Sequence, residues 1–356
     1  MGVITISESI KEKKPRIVWI DILRGGMMFF VVWGHGTVRG DIERYIFSFH
    51  MAAFFFISGL TFSFNKETDP AKYLLKKVRT LLVPYFLLNL YVTPLYYLNV
   101  QTGANKDVPI WKLALGVLAS NVDTGLPMAS NTTWFITCLF LTDMLFFMFR
   151  KLIKSDRQLA GAVMLTTATM YAIGIIKRFA GGGLWHWQTA FTAVIFYMAG
   201  YFFMNNILPV KEFLTKSKPR AYIISALLLA DGLLLSQLNT RVSMVNDKYG
   251  NTLYFYLGAF STTLAAAFLV MLLSEYPVFV RLMTPVNFIG KTTLAYIALH
   301  VPLIKLLKYY TPLGGKSEPY RILMAVLLYF GLIPAAWLIS KLLPGKGKKA
   351  QKPASE

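Results

Sequence analysis

The sequence predicts an all-α polytopic membrane protein with about ten transmembrane helices and both termini cytoplasmic, and three observations carry that prediction. Of 356 residues, 55% are hydrophobic and only 15% charged, whereas soluble domains carry roughly 25% charge. The apolar residues gather in runs of about 20, the length that crosses a hydrocarbon core. The 37 Lys and Arg residues are unevenly shared between alternate connections, as the positive-inside rule requires. A soluble fold would need a core larger than single domains grow. One cysteine, Cys138, excludes a disulfide scaffold.

Residues 1–16, with Lys11, Lys13, Lys14 and Arg16, read as a cytoplasmic N-terminal segment. The run after them holds Asp21 and Arg24 and is followed by no small-residue cleavage site, so it reads as a retained first helix. Ten runs qualify as spans: 17–36, 45–64, 78–99, 133–150, 159–176, 188–205, 221–238, 253–273, 286–307 and 322–343. Together they make a transmembrane domain over 17–343, followed by a basic cytoplasmic tail at 344–356. The stretch 108–120 is apolar but short, and reads as interfacial or re-entrant. One side of the spans collects 23 of the basic residues and the other 12, which places both termini in the cytoplasm. Arg24 and Lys291 remain inside spans.

The net charge of +20 is thus topological. A nucleic-acid partner would need a basic face on a soluble module, and none is expected. No repeat suggests the inverted halves of a transporter. No His-x-x-His or Glu-x-x-His spacing suggests a metal site, and no Gly-x-Ser-x-Gly suggests a serine hydrolase. Gly181, Gly182 and Gly183 do not open a helix after a strand, so they form no phosphate cradle. Cys138 has no base beside it in the sequence and reads as packing.

An ionisable residue within a span is costly and by default marks a functional site. Asp21 and Arg24 are three apart and share a helix face, as a structural pair or as part of a site. His35 lies eleven residues beyond Arg24, about three turns and about 16 Å along the same face. His50 enters the second span at the depth of His35, so the two rings could stand side by side. Asp143 and Lys291 either bridge helices or belong to the site, and His300 lies midway to the outer end of the ninth span. His186, between Trp185 and Trp187, reads as part of an aromatic interface belt.

These residues resemble the acyltransferase-3 integral membrane acyltransferases. Ile20-Asp21-Ile22-Leu23-Arg24-Gly25 ending in Gly34-His35 is similar to the family's Arg, ten residues, His signature. Phe49-His50-Met51-Ala52-Ala53-Phe54-Phe55-Phe56-Ile57-Ser58-Gly59 follows its second-span motif, with Ala52 where proline is usual. Arg79-Thr80-Leu81-Leu82-Val83-Pro84-Tyr85, Trp134-Phe135 and Phe288-Ile289-Gly290-Lys291-Thr292 through Leu299-His300 match in order and spacing. Tyr249-Gly250-Asn251 and Leu184-Trp185 through Phe196-Tyr197-Met198-Ala199-Gly200 look most like the fucose 4-O-acetylase-like branch.

The resemblance implies a ten-helix membrane core; many members add an extracytoplasmic domain, none is read in this sequence, and the core is expected to act alone or with a partner. It implies transfer of an acyl group, usually acetyl, from cytoplasmic acyl-CoA to a hydroxyl of a cell-surface or extracytoplasmic carbohydrate. His35, Arg24 and His50 are the expected catalytic residues. Trp134, Arg79, Ser58, Asn246, Tyr249, Lys291 and His300 are the expected substrate contacts. Acyl-CoA is the co-substrate, with no permanently bound cofactor and no metal. The bilayer, the carbohydrate and surface-glycan biosynthesis proteins are the expected partners, in a bacterial inner membrane. A proton-coupled transporter or flippase is the rival class, since intramembrane Arg, Asp and His would serve it equally well.

Overall fold

The computed structural model describes residues 17–36, 40–121, 125–179, 183–312 and 317–344. These form seventeen α-helices joined by short turns, with no strand among the described residues. The segment 1–16, the tail beyond 344 and Gly181 and Gly182 lie outside them.

Helix α1 (Val18–His35) and α2 (Asp41–Leu60) form the first two hydrophobic elements. Helix α3 (Pro70–Lys77) starts where the Asp69 carboxylate accepts the amides of Ala71 and Lys72, with Pro70 at the first position. It runs through a π-helical turn at Val78–Leu82 into α4 (Val83–Gln101). Next come α5 (Ile110–Ala119), α6 (Trp134–Leu152), α7 (Asp156–Ala172) and the single turn α8 (Ile175–Arg178). The second half comprises α9 (Trp187–Asn205), α10 (Ile207–Lys216), α11 (Lys218–Leu238), α12 (Thr252–Leu273), α13 (Pro277–Leu282) and α14 (Thr284–Lys291). It closes with α15 (Thr293–Tyr310), α16 (Glu318–Gly331) and α17 (Ile333–Leu342).

Every one of the ten expected runs coincides with helix, but not each with one unbroken span. By length and composition four helices among the described residues can cross a membrane: Pro70–Gln101, Asn131–Leu152, Lys218–Leu238 and Thr252–Leu273. Two bent pairs raise this to six, α9 with α10 at 72° and α16 with α17 at 40°. The run 286–307 is interrupted at Thr292, between α14 and α15. The run 159–176 ends early because Gly174 adopts a left-handed φ of 72°. The short run at 108–120 is α5, which leaves Ile110, Trp111, Leu115 and Leu118 exposed, as an interfacial helix would.

Small residues set the tightest helix contacts. A Cβ on Gly290 of α14 would lie 1.8 Å from the Asp21 carbonyl oxygen, and one on Gly25 2.1 Å from that of Val286. A Cβ on Gly59 of α2 or Gly200 of α9 would strike the Tyr197 or Phe56 carbonyl oxygen in the same way. Glycine lets these backbones touch, the usual means of close helix approach in lipid. Both pairs join segments far apart in the chain, and both fix walls of the cavity described next.

Candidate active site

The polar residues of α1 are distributed over most of the helix length. Near its start, buried Asp21 pairs with half-buried Arg24 at 3.3 Å. Arg24 faces a cavity of about 290 Å³, also lined by Ser58, Lys77, Asp143, Tyr197 and Lys291. Asp143 is 2% exposed and binds three partners. Lys77 Nζ donates to Oδ1 at 2.9 Å, Tyr73 donates its hydroxyl to Oδ2 at 2.9 Å, and Tyr197 donates to Oδ1. Asp143 therefore bridges α3, α6 and α9, and the paired charges are the form in which burial is tolerated. Of the three cations here, two are paired to carboxylates and Lys291 stands at the junction with a second cleft. That cleft, about 460 Å³, is lined by Thr80, Pro84, Leu294, Ala295, Ser340 and Leu343 besides Lys291.

At the other end of α1, His35 stands against His300 of α15, with ring centroids 5.1 Å apart. His300 Nδ1 lies 2.7 Å from the Tyr296 carbonyl oxygen. A carbonyl can only accept, so Nδ1 carries the hydrogen and Nε2 holds the lone pair of the neutral ring. That Nε2 is buried without a hydrogen-bond partner among the described residues. His50 is held in the same tautomer by the Ile46 carbonyl at 2.7 Å. His35 and His50 lie in one aromatic cluster, as the sequence suggests, with the Phe47 ring in contact with both, 5.9 Å from His35 and 5.0 Å from His50. The histidine ring that His35 contacts is that of His300, from a helix more than 250 positions away in the chain. Arg241 lies over the Phe47 ring, 4.1 Å from its centroid, and donates to Glu43 at 2.7 Å.

Helix α15 connects the two ends. Lys291 and Ile297 line the Arg24 cavity, while Val301, Pro302 and Lys305 line a third cleft of about 250 Å³. His300 lies on the helix between them. From Thr293, which also lines the Arg24 cavity, to Lys305 is twelve residues, about 18 Å at helical rise. The Arg24 cavity therefore meets α15 over its first turns and the third cleft meets it in its second half, with His300 between them.

Other expected contacts fall elsewhere. Ser58 lines the Arg24 cavity while donating to the Phe54 carbonyl. Arg79 is exposed on the π-helical turn, whose neighbour Thr80 lines the cavity. Trp134 is buried against His186, centroids 4.9 Å apart, and lines none of the three clefts, whereas its neighbour Phe135 does line the Arg24 cavity. His186 is fully buried, so it is no interface-belt residue: a left-handed turn at Trp185 and His186 folds it inward. Asn246 and Tyr249 belong to a separate cluster around Asp247. Gln188, Thr189 and Tyr249 all donate to the Asp247 carboxylate, tying the loop before α12 to α9. Cys138 donates weakly to the His186 carbonyl and serves packing. Among the described residues no group of three His, Cys, Asp or Glu side chains is placed to hold a metal ion.

Sequence reasoning missed Lys77 and Tyr197 as cavity residues. Lys77 reads as one more loop cation, and Tyr197 as one aromatic among 53. Only the fold brings both onto Asp143.

Outside the membrane-spanning helices, Asp69 shows the ordinary effect of a cap. The Lys72 amide and then that of Ala71 hold its carboxyl below the usual range.

The family model described as an acyltransferase domain, Acyl_transf_3, matches residues 17–341. Among curated proteins, none matches the chain.

Proposed function

The chain belongs to the acyltransferase-3 family and is a multi-pass membrane acyltransferase; from that premise we propose that it is an O-acyltransferase. It moves an acyl group, most simply acetyl, from cytoplasmic acyl-CoA to a hydroxyl of an extracytoplasmic carbohydrate. The observation that carries this proposal is the His35–His300 pair, with His300 on α15 between a cleft that meets the helix in its first turns and one that meets it in its second half. A donor can enter from one side and an acceptor from the other, meeting at groups able to take a proton.

Arg24 and Lys291 give the first cleft the positive charge that an anionic donor needs. His35 takes the proton of the acceptor hydroxyl, and the freed oxygen attacks the thioester carbonyl. The carbon–sulfur bond breaks, and coenzyme A leaves as its thiolate. His300 offers its Nε2 lone pair beside the reacting oxygen, and His50 supports the same ring cluster through Phe47. The acyl-CoA is a co-substrate, and no resident cofactor is required by this route. Resemblance to the fucose 4-O-acetylase-like branch supports a sugar hydroxyl as acceptor, with cytoplasmic termini and a cell-membrane location.

Two clefts flanking buried ionisable groups would also suit an alternating-access carrier. The two readings differ in one measurable product. Purified protein in liposomes should release free thiol from acyl-CoA when acceptor is present, and His35→Ala should lower that rate at least about 1,000-fold with the protein still inserted. Thiol release by His35→Ala at the wild-type rate would overturn the assignment. Acceptor movement without thiol release would favour the carrier.

A further inference from the structure

Resting on the acyl-transfer reading, we propose that the cleft beside Lys305 is the acceptor subsite and that it takes an anionic carbohydrate. Its ligand would carry a carboxylate or phosphodiester next to the acylated hydroxyl. Three observations lead there.

The first is position. The cleft is walled by Val301 and Pro302, the residues immediately after His300. His300 itself is fully buried, and its Nε2 is an unpartnered lone pair among the described residues. The cleft thus borders α15 at the residues next to a group that lacks a hydrogen-bond donor.

The second is chemistry. The lining carries a set of neutral polar side chains, Tyr96, Asn105, Ser130 and Asn131, beside the two lysines. Sugars are recognised through such amides and hydroxyls, with a few placed charges fixing orientation. The Arg24 cavity, by contrast, contains two ion pairs.

The third is charge. Lys106 and Lys305 both line the cleft, and no carboxylate does among the described residues, although Asp107 adjoins Lys106 in the chain. Lys305 Nζ donates to Asn105 Oδ1 at 2.6 Å and to the Ala104 carbonyl at 3.5 Å. Both are neutral acceptors, so its charge is held in place without being neutralised. An ammonium has three donors, and the third can meet a ligand anion. Asn105 in turn donates to the Tyr96 carbonyl, so the loop that fixes Lys305 is itself tied to α4.

The test is direct binding to the full-length protein in detergent, which needs no acyl transfer. Three probes are compared: oligogalacturonate, a phosphodiester-linked ribitol oligomer and neutral maltohexaose. At least one anionic probe should bind about ten-fold or more tightly than maltohexaose at low salt, and the preference should shrink at high salt. Which of the two wins identifies carboxylate or phosphodiester as the source of charge. In Lys106→Gln/Lys305→Gln the preference should fall to about one-fold, while Lys106→Arg/Lys305→Arg should keep it and so report on charge with the fold preserved. Equal affinity for all three probes would overturn the proposal, and so would an anionic preference that survives the double glutamine change. Thiol release from acetyl-CoA with each probe is scored separately. Charge-dependent binding without thiol release would sink the acyl-transfer reading and leave the subsite standing.

Discussion

At the scale of single residues, the site is built from groups that could not be left alone in an apolar interior. Asp143 is the clearest case, since one carboxylate serves Lys77, Tyr73 and Tyr197. Asp143→Ala leaves Lys77 with no counter-ion in a mostly buried setting, and removing one partner of a buried pair costs about 3–5 kcal/mol. A clear loss of thermal stability in detergent is expected, and an unchanged Tm would show that the pair is solvated. Arg24 gives a kinetic prediction. Arg24→Lys retains charge but loses the planar guanidinium fork, so KM for acyl-CoA should rise about ten-fold with a smaller change in kcat. These residues were legible in the sequence only in part. Arg24, His35 and His50 stand out because charge and imidazole are rare within apolar runs. Lys77, Tyr73 and Tyr197 do not stand out, because a lysine near a helix end and aromatics in a membrane chain are ordinary.

At the scale of elements, the glycine contacts decide where the polar groups sit. Gly290→Ala would put a methyl group against the Asp21 carbonyl and push α14 away from α1. Arg24 and Lys291 line the same cavity from these two segments, so activity and stability should fall together. Gly26→Ala makes the control, since nothing lies within 4 Å of its added Cβ, and it should leave both close to wild type. The cap of α3 makes a smaller prediction. The Asp69 carboxyl is lowered in the folded protein, so its capping stabilisation is present above the unfolded pKa and lost as pH falls through the folded one. Asp69→Ala should speed hydrogen exchange at Ala71 and Lys72, and the wild-type protein should show the same change on acidification. The glycine positions were visible as letters in motifs. Their partners were not, because a close approach is a property of two segments.

At the scale of the whole molecule, topology follows from where the basic residues lie. Single cysteines in a Cys138→Ser background should label from the cytoplasmic side at Lys211 and from the outside at Lys106. Labelling of both from one side would refute the orientation. The proposed orientation would also give the two clefts their meaning, because only opposite faces let a cytoplasmic donor meet an external acceptor.

The sequence by itself determined the solvent this chain folds in, its helical class, its family and the importance of α1, since these depend on composition and on spacing along one helix. Residue types in order were sufficient for that. The tertiary structure decided which groups meet. It placed His300 beside His35 with Phe47 set against His50, gathered Lys77 and Tyr197 onto Asp143, and withdrew Asn246 and Tyr249 to a separate cluster. The physical reason is that helix periodicity fixes the face a side chain presents, whereas the neighbour it finds there depends on how distant helices pack.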